Sequence, residues 1–459
     1  MSLAKVQVWS SSPACTFFIF CRVIISQLNH HNGGISMLAA QILMFLTLLL
    51  MVIGKTPIYL TALVGASLSA IAAGFPLAGK ADITVAKLVN MGLNPVIADM
   101  TGVLMLVGIM EASGFLDVII RKIMSVGSSL GGAPGITAAG SLAAGCIGAL
   151  TGFTQPVVTA AITGPAAVRL GMDPNKTAGL AAHAGHFGNF AGFTHPTQVA
   201  VVATAAIGFG AINVVGAAVG ISIIMFSCVR LMIEMKKNAP EVSEETKREV
   251  AAFIEQKGKV SFKIAVFPFV IFVLGFVLGF PVFLVGAVSA IVTAILAKIN
   301  MATSESMMIK GIEKIAIPLL ATISFLFMSA VMNKIGLVSI ISDIFGPAVS
   351  VAPIQTMLIV SALAGFFTQS NAAAVAIDVP FLQVVLAAGA DPLTAACAAA
   401  GGSAVMQYYL TGGPVAALST VLPVIPGSNL KDSNKFQRPA MWFGLLVLFL
   451  ITLAMTFLR

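Results

Sequence analysis

Apolar runs long enough to cross a bilayer recur through almost the whole chain, and most charged residues fall between them. One crossing helix needs about 20 such residues. Runs of this kind lie near 38–54, 57–75, 98–120, 175–203, 207–230, 264–280, 282–298, 315–336, 391–427 and 439–458. Only 9% of the 459 residues are charged. A soluble domain carries roughly a quarter, so this chain has too few to cover a solvated surface. An ordinary soluble enzyme, a nucleic-acid binder and a disordered chain are thereby excluded. The class left is an all-α polytopic membrane protein of about ten transmembrane helices. Its 43 Gly and 21 Pro suit packed, interrupted spans.

Two segments, 131–170 and 350–388, do not read as simple spans. Each joins two short apolar pieces through a polar, helix-breaking tip: Thr151-Gly152-Phe153-Thr154-Gln155-Pro156 in the first, Thr368-Gln369-Ser370-Asn371 in the second. Both are expected to be re-entrant hairpins, since non-helical backbone at membrane depth is tolerated only inside protein or around a wet cavity. Charge tests this threading. With the polar segment 234–263 in the cytoplasm, nineteen of the 25 Lys and Arg fall inside, four outside, and two before residue 37. Cytoplasmic loops are enriched in Lys and Arg, so the bias supports ten spans plus two hairpins. It also explains the net charge of +8 without nucleic acid. The expected setting is a bacterial inner membrane, with the central segment a partly helical cytoplasmic linker.

Residues 1–36 look different: polar, irregular, with His30-His31 and an Arg22 that interrupts the one apolar stretch. Met37 opens a strong apolar run, and Gly33-Gly34 stands just upstream. The expectation is that Met37 is the true start and 1–36 a non-native or disordered extension. The five Cys are scattered, with neither metal-ligand nor disulfide spacing.

The two halves, 37–233 and 264–459, echo each other. Met110-Glu111-Ala112-Ser113-Gly114-Phe115-Leu116 is similar to Met332-Asn333-Lys334-Ile335-Gly336-Leu337-Val338. Thr154-Gln155 matches Thr368-Gln369, Asp173-Pro174 matches Asp391-Pro392, and Pro196 matches Pro414, in the same order. Five spans per half is odd, so the halves have opposite orientation. Inverted repeats characterise many secondary transporters, whose site lies at the repeat interface near the midplane.

Each half also interrupts a long span after its hairpin. The first break runs from Gly188-Asn189 through Thr194-His195-Pro196 to Gln198; the second runs from Gln407 through Thr411-Gly412-Gly413-Pro414. Pro and Gly stop helices there, and a stopped helix presents free amides carrying partial positive charge. The candidate binding groups are Thr154, Gln155, Asn189, Thr194, Thr368, Ser370, Asn371, Thr411, Gly412 and Gly413. No Lys or Arg is near them in sequence. An anion bound there is held by amides and hydroxyls, from which it can be released. The plainer reading is that these small residues only let helices pack closely.

Both tip-plus-break segments resemble the ion transporter superfamily, especially its lactate permease and gluconate permease branches. Gly148-Ala149-Leu150-Thr151-Gly152-Phe153-Thr154-Gln155-Pro156-Val157 carries the resemblance in the first half. Thr368-Gln369-Ser370-Asn371-Ala372 resembles the Ser/Thr-Asn tip of that superfamily. The likeness is in the order of elements over 38–458. It implies an organic-anion carrier coupled to H+ or Na+, a moving transport unit, substrate held at tips and breaks, and a homodimer. The chain departs at the first tip, where Gln155-Pro156 replaces the usual pair. In this reading the first three spans of each half form scaffold and dimer contact.

Ionisable residues inside membrane segments are functional candidates. Glu111 lies in the third span and Asp378 in the second hairpin, and His183, His186 and His195 cluster in the fourth span. His186, His195, Asp378 and Glu111 are candidates for the coupling ion, the histidines because imidazole exchanges protons near neutral pH. The plainer readings are a buried His bonded to a carbonyl, and Glu111 and Asp117 facing Arg121 and Lys122. His183-Ala184-Gly185-His186 lacks the Glu of H-E-x-x-H, so no zinc-protease motif is present. The expected function is secondary transport of a hydroxycarboxylate or dicarboxylate such as lactate, gluconate or citrate, with no cofactor and lipid as its surroundings. The alternatives are a cation/proton antiporter of the same fold and a membrane metalloenzyme using the His cluster.

Overall fold

Backbone at membrane depth has no water to bond, so it closes its hydrogen bonds within helices. The computed structural model describes residues 35–53, 56, 58–91, 96–152, 154, 156–238, 242–254, 260–313, 316–368, 371–407 and 416–458. Among these, every regular element is helical, and the chain is an all-α polytopic membrane protein. Of the expected extension 1–36, residues 1–34 lie outside the described residues, while Ile35 and Ser36 open the first helix.

The first half runs α1 (Ile35–Ile53), α2 (Ile58–Ala72), α3 (Val85–Met91), α4 (Val96–Ala112), α5 (Phe115–Thr151), α6 (Val157–Arg169), α7 (Pro174–Ala182), α8 (Ala184–Phe190), α9 (Pro196–Thr204) and α10 (Ala211–Asn238). The linker helix α11 (Glu244–Ile254) follows. The second half runs α12 (Phe262–Val277), α13 (Val282–Leu296), α14 (Met301–Glu313), α15 (Ala316–Lys334), α16 (Leu337–Val351), α17 (Pro353–Thr368), α18 (Asn371–Ala387), α19 (Pro392–Val405), α20 (Ala416–Val421) and α21 (Leu430–Leu458).

Among the described residues, four helices are long and apolar enough to cross unaided: Ser36–Ile53, Gly131–Thr151, Ala211–Asn238 and Leu430–Leu458. Two bent pairs add to them, and six shorter apolar helices have 10–17 residues. The spans expected near 57–75 and 282–298 are therefore short rods. A helix of 15 residues is about 22 Å long, less than the roughly 30 Å hydrocarbon core.

The run 98–120 is not one straight span. α4 ends at Ala112, Gly114 takes φ 77°, and α5 leaves at 79° to it. α15 and α16 repeat the device, with Gly336 at φ 78° and a bend of 78°. An L side chain is disfavoured in this left-handed conformation, so the position selects glycine. α5 then turns again at Gly132 (φ 56°, ψ −135°) before descending as the first arm of hairpin one. α6 packs back along it, and α17 and α18 form the second hairpin in the same manner. α14 and α16 fall where no element was expected.

The span after each hairpin starts on an identical cap. Asp173 accepts the Lys176 amide at 3.0 Å and Asp391 accepts the Thr394 amide at 2.8 Å, each followed by a Pro in the first turn. α7 and α8 form the first part of the broken span, residues 191–195 interrupt it, and α9 continues it. α19 stops at Val405. Residues 408–415 of the second break lie outside the described residues.

Packing is exchanged between the halves. α4 of the first half lies against α13 and α14 of the second, where Gly102 meets Gly286 and Gly108 meets Gly311. Reciprocally, α2 lies against α15, joining one core from Ala62 and Ala66 to Phe325 and Met332. Small residues let these backbones approach closely, which is what binds helices where lipid removes the hydrophobic drive.

Candidate functional site

The arm Gly131–Thr151 is buried over 83% of its apolar window, so hairpin one runs inside the protein. It ends at Gly152, which closes the helix with a bond to the Gly148 carbonyl at 3.0 Å. Gly152 lies directly on the first break: a Cβ there would come within 2.7 Å of the Thr194 carbonyl. The break is tied to the hairpin a second time by the Phe193 amide, 2.8 Å from the Ala149 carbonyl. Thr154 is wedged between Gly148 and Gly188, because a methyl at either glycine would overlap its hydroxyl. Tip one thus seats its threonine against the broken helix.

The second hairpin reaches the same break from the other half. The Thr197 hydroxyl donates to the Asn371 carbonyl at 2.8 Å, and Asn371 Nδ2 lies 3.4 Å from His195 Nδ1. The other end of the Asn371 side chain accepts the Ser403 hydroxyl at 3.0 Å. Residues 194–197 therefore have tip one on one side and the start of α18 on the other. This juxtaposition of both hairpins on one interrupted segment is the central feature of the molecule.

Around it stand buried polar groups that nothing satisfies. Among the described residues, neither the Thr154 nor the Thr194 hydroxyl has a hydrogen-bond partner, and neither end of the Gln198 amide has one. Asp378 is fully buried. The hydroxyls of Ser361 and Ser403 lie beside it, yet both are directed elsewhere. Ser361 donates to the Ala399 carbonyl and accepts the Ser403 amide at 2.8 Å, while Ser403 serves Asn371. Among the described residues, neither carboxyl oxygen of Asp378 meets a donor within bonding geometry. Buried polar groups are ordinarily bonded, and an unpaired buried carboxyl takes a proton or a cation.

The histidines do not form one cluster. His183 Nε2 meets Ser227 Oγ at 2.9 Å, and His186 Nδ1 donates to the Ala404 carbonyl at 3.0 Å. Their rings are 5.4 Å apart, whereas His195 lies against Asn371. Among the described residues no three His, Cys, Asp or Glu converge as metal ligands. Thr368 turns its hydroxyl back to the Ala364 carbonyl, Asn189 is half-buried, and Glu111 is exposed beside the Gly114 bend. Asp117 pairs with Arg121 at 2.9 Å, as its plainer reading held. Gln155, Ser370, Thr411, Gly412 and Gly413 lie outside the described residues. A cavity of about 510 Å³ beside Met172, Lys176 and Glu234 is lined by none of the candidate residues.

Sequence reasoning missed Ser361, Ser403, Thr197 and Asn213. A lone serine in an apolar helix has no periodicity to mark it. Asn213 did carry a signal, its three-residue spacing from Gly210 at the head of a span.

No family model and no curated protein matches the chain. A solved structure of Neisseria gonorrhoeae MtrF, described as illuminating a class of antimetabolite efflux pumps, is similar at a TM-score of 0.59. The likeness covers 95% of this chain and 98% of that one at 15% identity. At that identity the likeness is one of fold.

Proposed function

We propose that this chain is a secondary active transporter of a small organic anion, coupled to H+ or Na+ and not an enzyme. The two halves are inverted repeats, and cargo binds where both hairpins meet the first break. One observation carries the reading: Gly152 and Asn371, from opposite halves, both contact residues 194–197, and the buried polar side chains of Thr154, Thr194 and Gln198 on the same tip and break have no partner among the described residues. Thr154, Thr194, Gln198 and Asn371 supply hydroxyl and amide donors to a carboxylate. Gln155, Asn189, Thr368, Ser370, Thr411, Gly412 and Gly413 complete the tips and breaks. Asp378 is the foremost coupling group, with His186 and His195 next to the same elements and Glu111 behind them.

The MtrF likeness supports the reading at the level of fold, since that protein is described as an efflux pump. The resemblance of the tips to organic-anion permeases supports a carboxylate cargo and a homodimer, and the Lys and Arg bias supports an inner-membrane setting with α11 in the cytoplasm. A site without Lys or Arg holds its anion weakly enough to release it on the far side.

Uptake into proteoliposomes, measured with a panel of labelled lactate, gluconate, citrate and dicarboxylates, tests this. The expected result is accumulation of at least one of them, driven by a pH or sodium gradient applied separately. Flux of a cation alone, without any carboxylate, would favour the antiporter reading instead.

A further inference from the structure

The carbonyls that a broken helix leaves behind need partners at membrane depth. In transporters with interrupted helices, such carbonyl ends coordinate the coupling Na+ or H+. In this chain the two carbonyls that follow α8 are already taken. Asn213 Nδ2 donates to the Ala191 carbonyl at 3.0 Å and to the Gly192 carbonyl at 2.9 Å. Both amide hydrogens are thereby used.

The orientation of that amide is fixed from behind. The Gly210 amide donates to Asn213 Oδ1 at 2.8 Å, so the nitrogen end must face the break. Asn213 itself is buried, at 4% exposure. α10 lies close against α8, where Gly216 sits on the Phe190 carbonyl and Gly220 on Phe187 and a methyl at either would clash. A sodium ion at this place would need the same two oxygens.

We propose that Asn213 stands, with an uncharged amide, where a coupling cation would bind at the first break, so that this half of the transporter works without sodium there. The proposal rests on the transporter reading and narrows it: ion coupling falls to Asp378 in the second half. Asn213 is a positioning residue, holding the break against which both hairpins rest.

The test replaces the amide and asks whether sodium takes its place. In Asn213→Asp, the new carboxylate faces two carbonyl oxygens with no donor among them, a ligand set suited to a hard cation. In Asn213→Ala, the two carbonyls are left bare. Both variants and the wild type are purified in detergent, and their melting temperatures are compared in sodium chloride and choline chloride at pH 8. The expected result is a sodium-specific rise of several degrees in Asn213→Asp, a smaller rise in Asn213→Ala, and a smaller one still in the wild type. Equal sodium responses in all three, or equal destabilisation of both variants in both salts, would mark Asn213 as merely structural and overturn the proposal. So would failure of Asn213→Asp to fold in either salt, because sodium should rescue it. No cargo is involved, so the outcome is independent of whether the anion assignment holds.

Discussion

Thr154 and Asn371 come from opposite halves of the chain: Thr154 is seated between Gly148 and Gly188, two residues after the Gly152 that meets Thr194, and Asn371 meets Thr197 and His195. Removing Thr154 should weaken cargo binding without unfolding the protein, since its hydroxyl has no hydrogen-bond partner among the described residues; removing the Asn371 side chain also strands the Ser403 hydroxyl and His195, so that variant is first matched to the wild type by melting temperature. A buried hydrogen bond lost to a charged partner is worth roughly 1.5–3 kcal/mol. Thr154→Ala and Asn371→Ala are therefore expected to lower uptake of the best cargo by about tenfold or more, measured in proteoliposomes at matched protein amounts. Unchanged uptake in both would break the site assignment. Asp378→Asn keeps shape and removes the exchangeable proton. It is expected to leave a folded protein whose uptake no longer varies with external pH; wild-type pH dependence in that variant would remove Asp378 from coupling. Residue identities at the tips were legible because Thr, Gln, Ser and Asn beside Gly and Pro stand out in apolar sequence. Ser361 and Ser403 were not, because their importance lies in what the fold brings beside Asp378.

Paired devices recur among the elements, and the weak matches between the halves mark them well. The Gly114 and Gly336 bends differ by one degree, and the Asp173 and Asp391 caps share partner position and following Pro. An aspartate cap contributes about 1 kcal/mol. Asp173→Ala and Asp391→Ala are each expected to lower stability by about that much, read as a drop in melting temperature; a larger loss at one alone would mean that the caps are not equivalent. What the sequence hid was direction. The apolar character of 98–120 continues straight through Gly114, so hydropathy reads one span where the backbone turns by 79°. α14 was missed because Glu305, Lys310 and Glu313 make it too polar to read as a span, and α16 because it follows α15 across the Gly336 bend, where the expected span was ended.

At the scale of the whole molecule, the exchange of α2 and α4 between halves means that neither half has a complete core alone. α11 is docked through Val250 against Met124, Ile136 and Ala166, and the proposed threading, which follows the Lys and Arg bias, puts this linker in the cytoplasm. Ser243→Cys at this exposed position, in a background whose five native cysteines are replaced, should be labelled by an impermeant thiol reagent in inverted vesicles and not in intact cells. Labelling from the outside would reverse the threading and every assignment of sidedness. The most direct test of the central claim is an electron cryo-microscopy map of the protein in lipid nanodiscs with its best cargo bound. The expected map shows both hairpin ends against residues 194–197, with density for the anion touching Thr154 and Asn371. A map with either hairpin at the lipid boundary, apart from the other, or with cargo bound elsewhere, would contradict it.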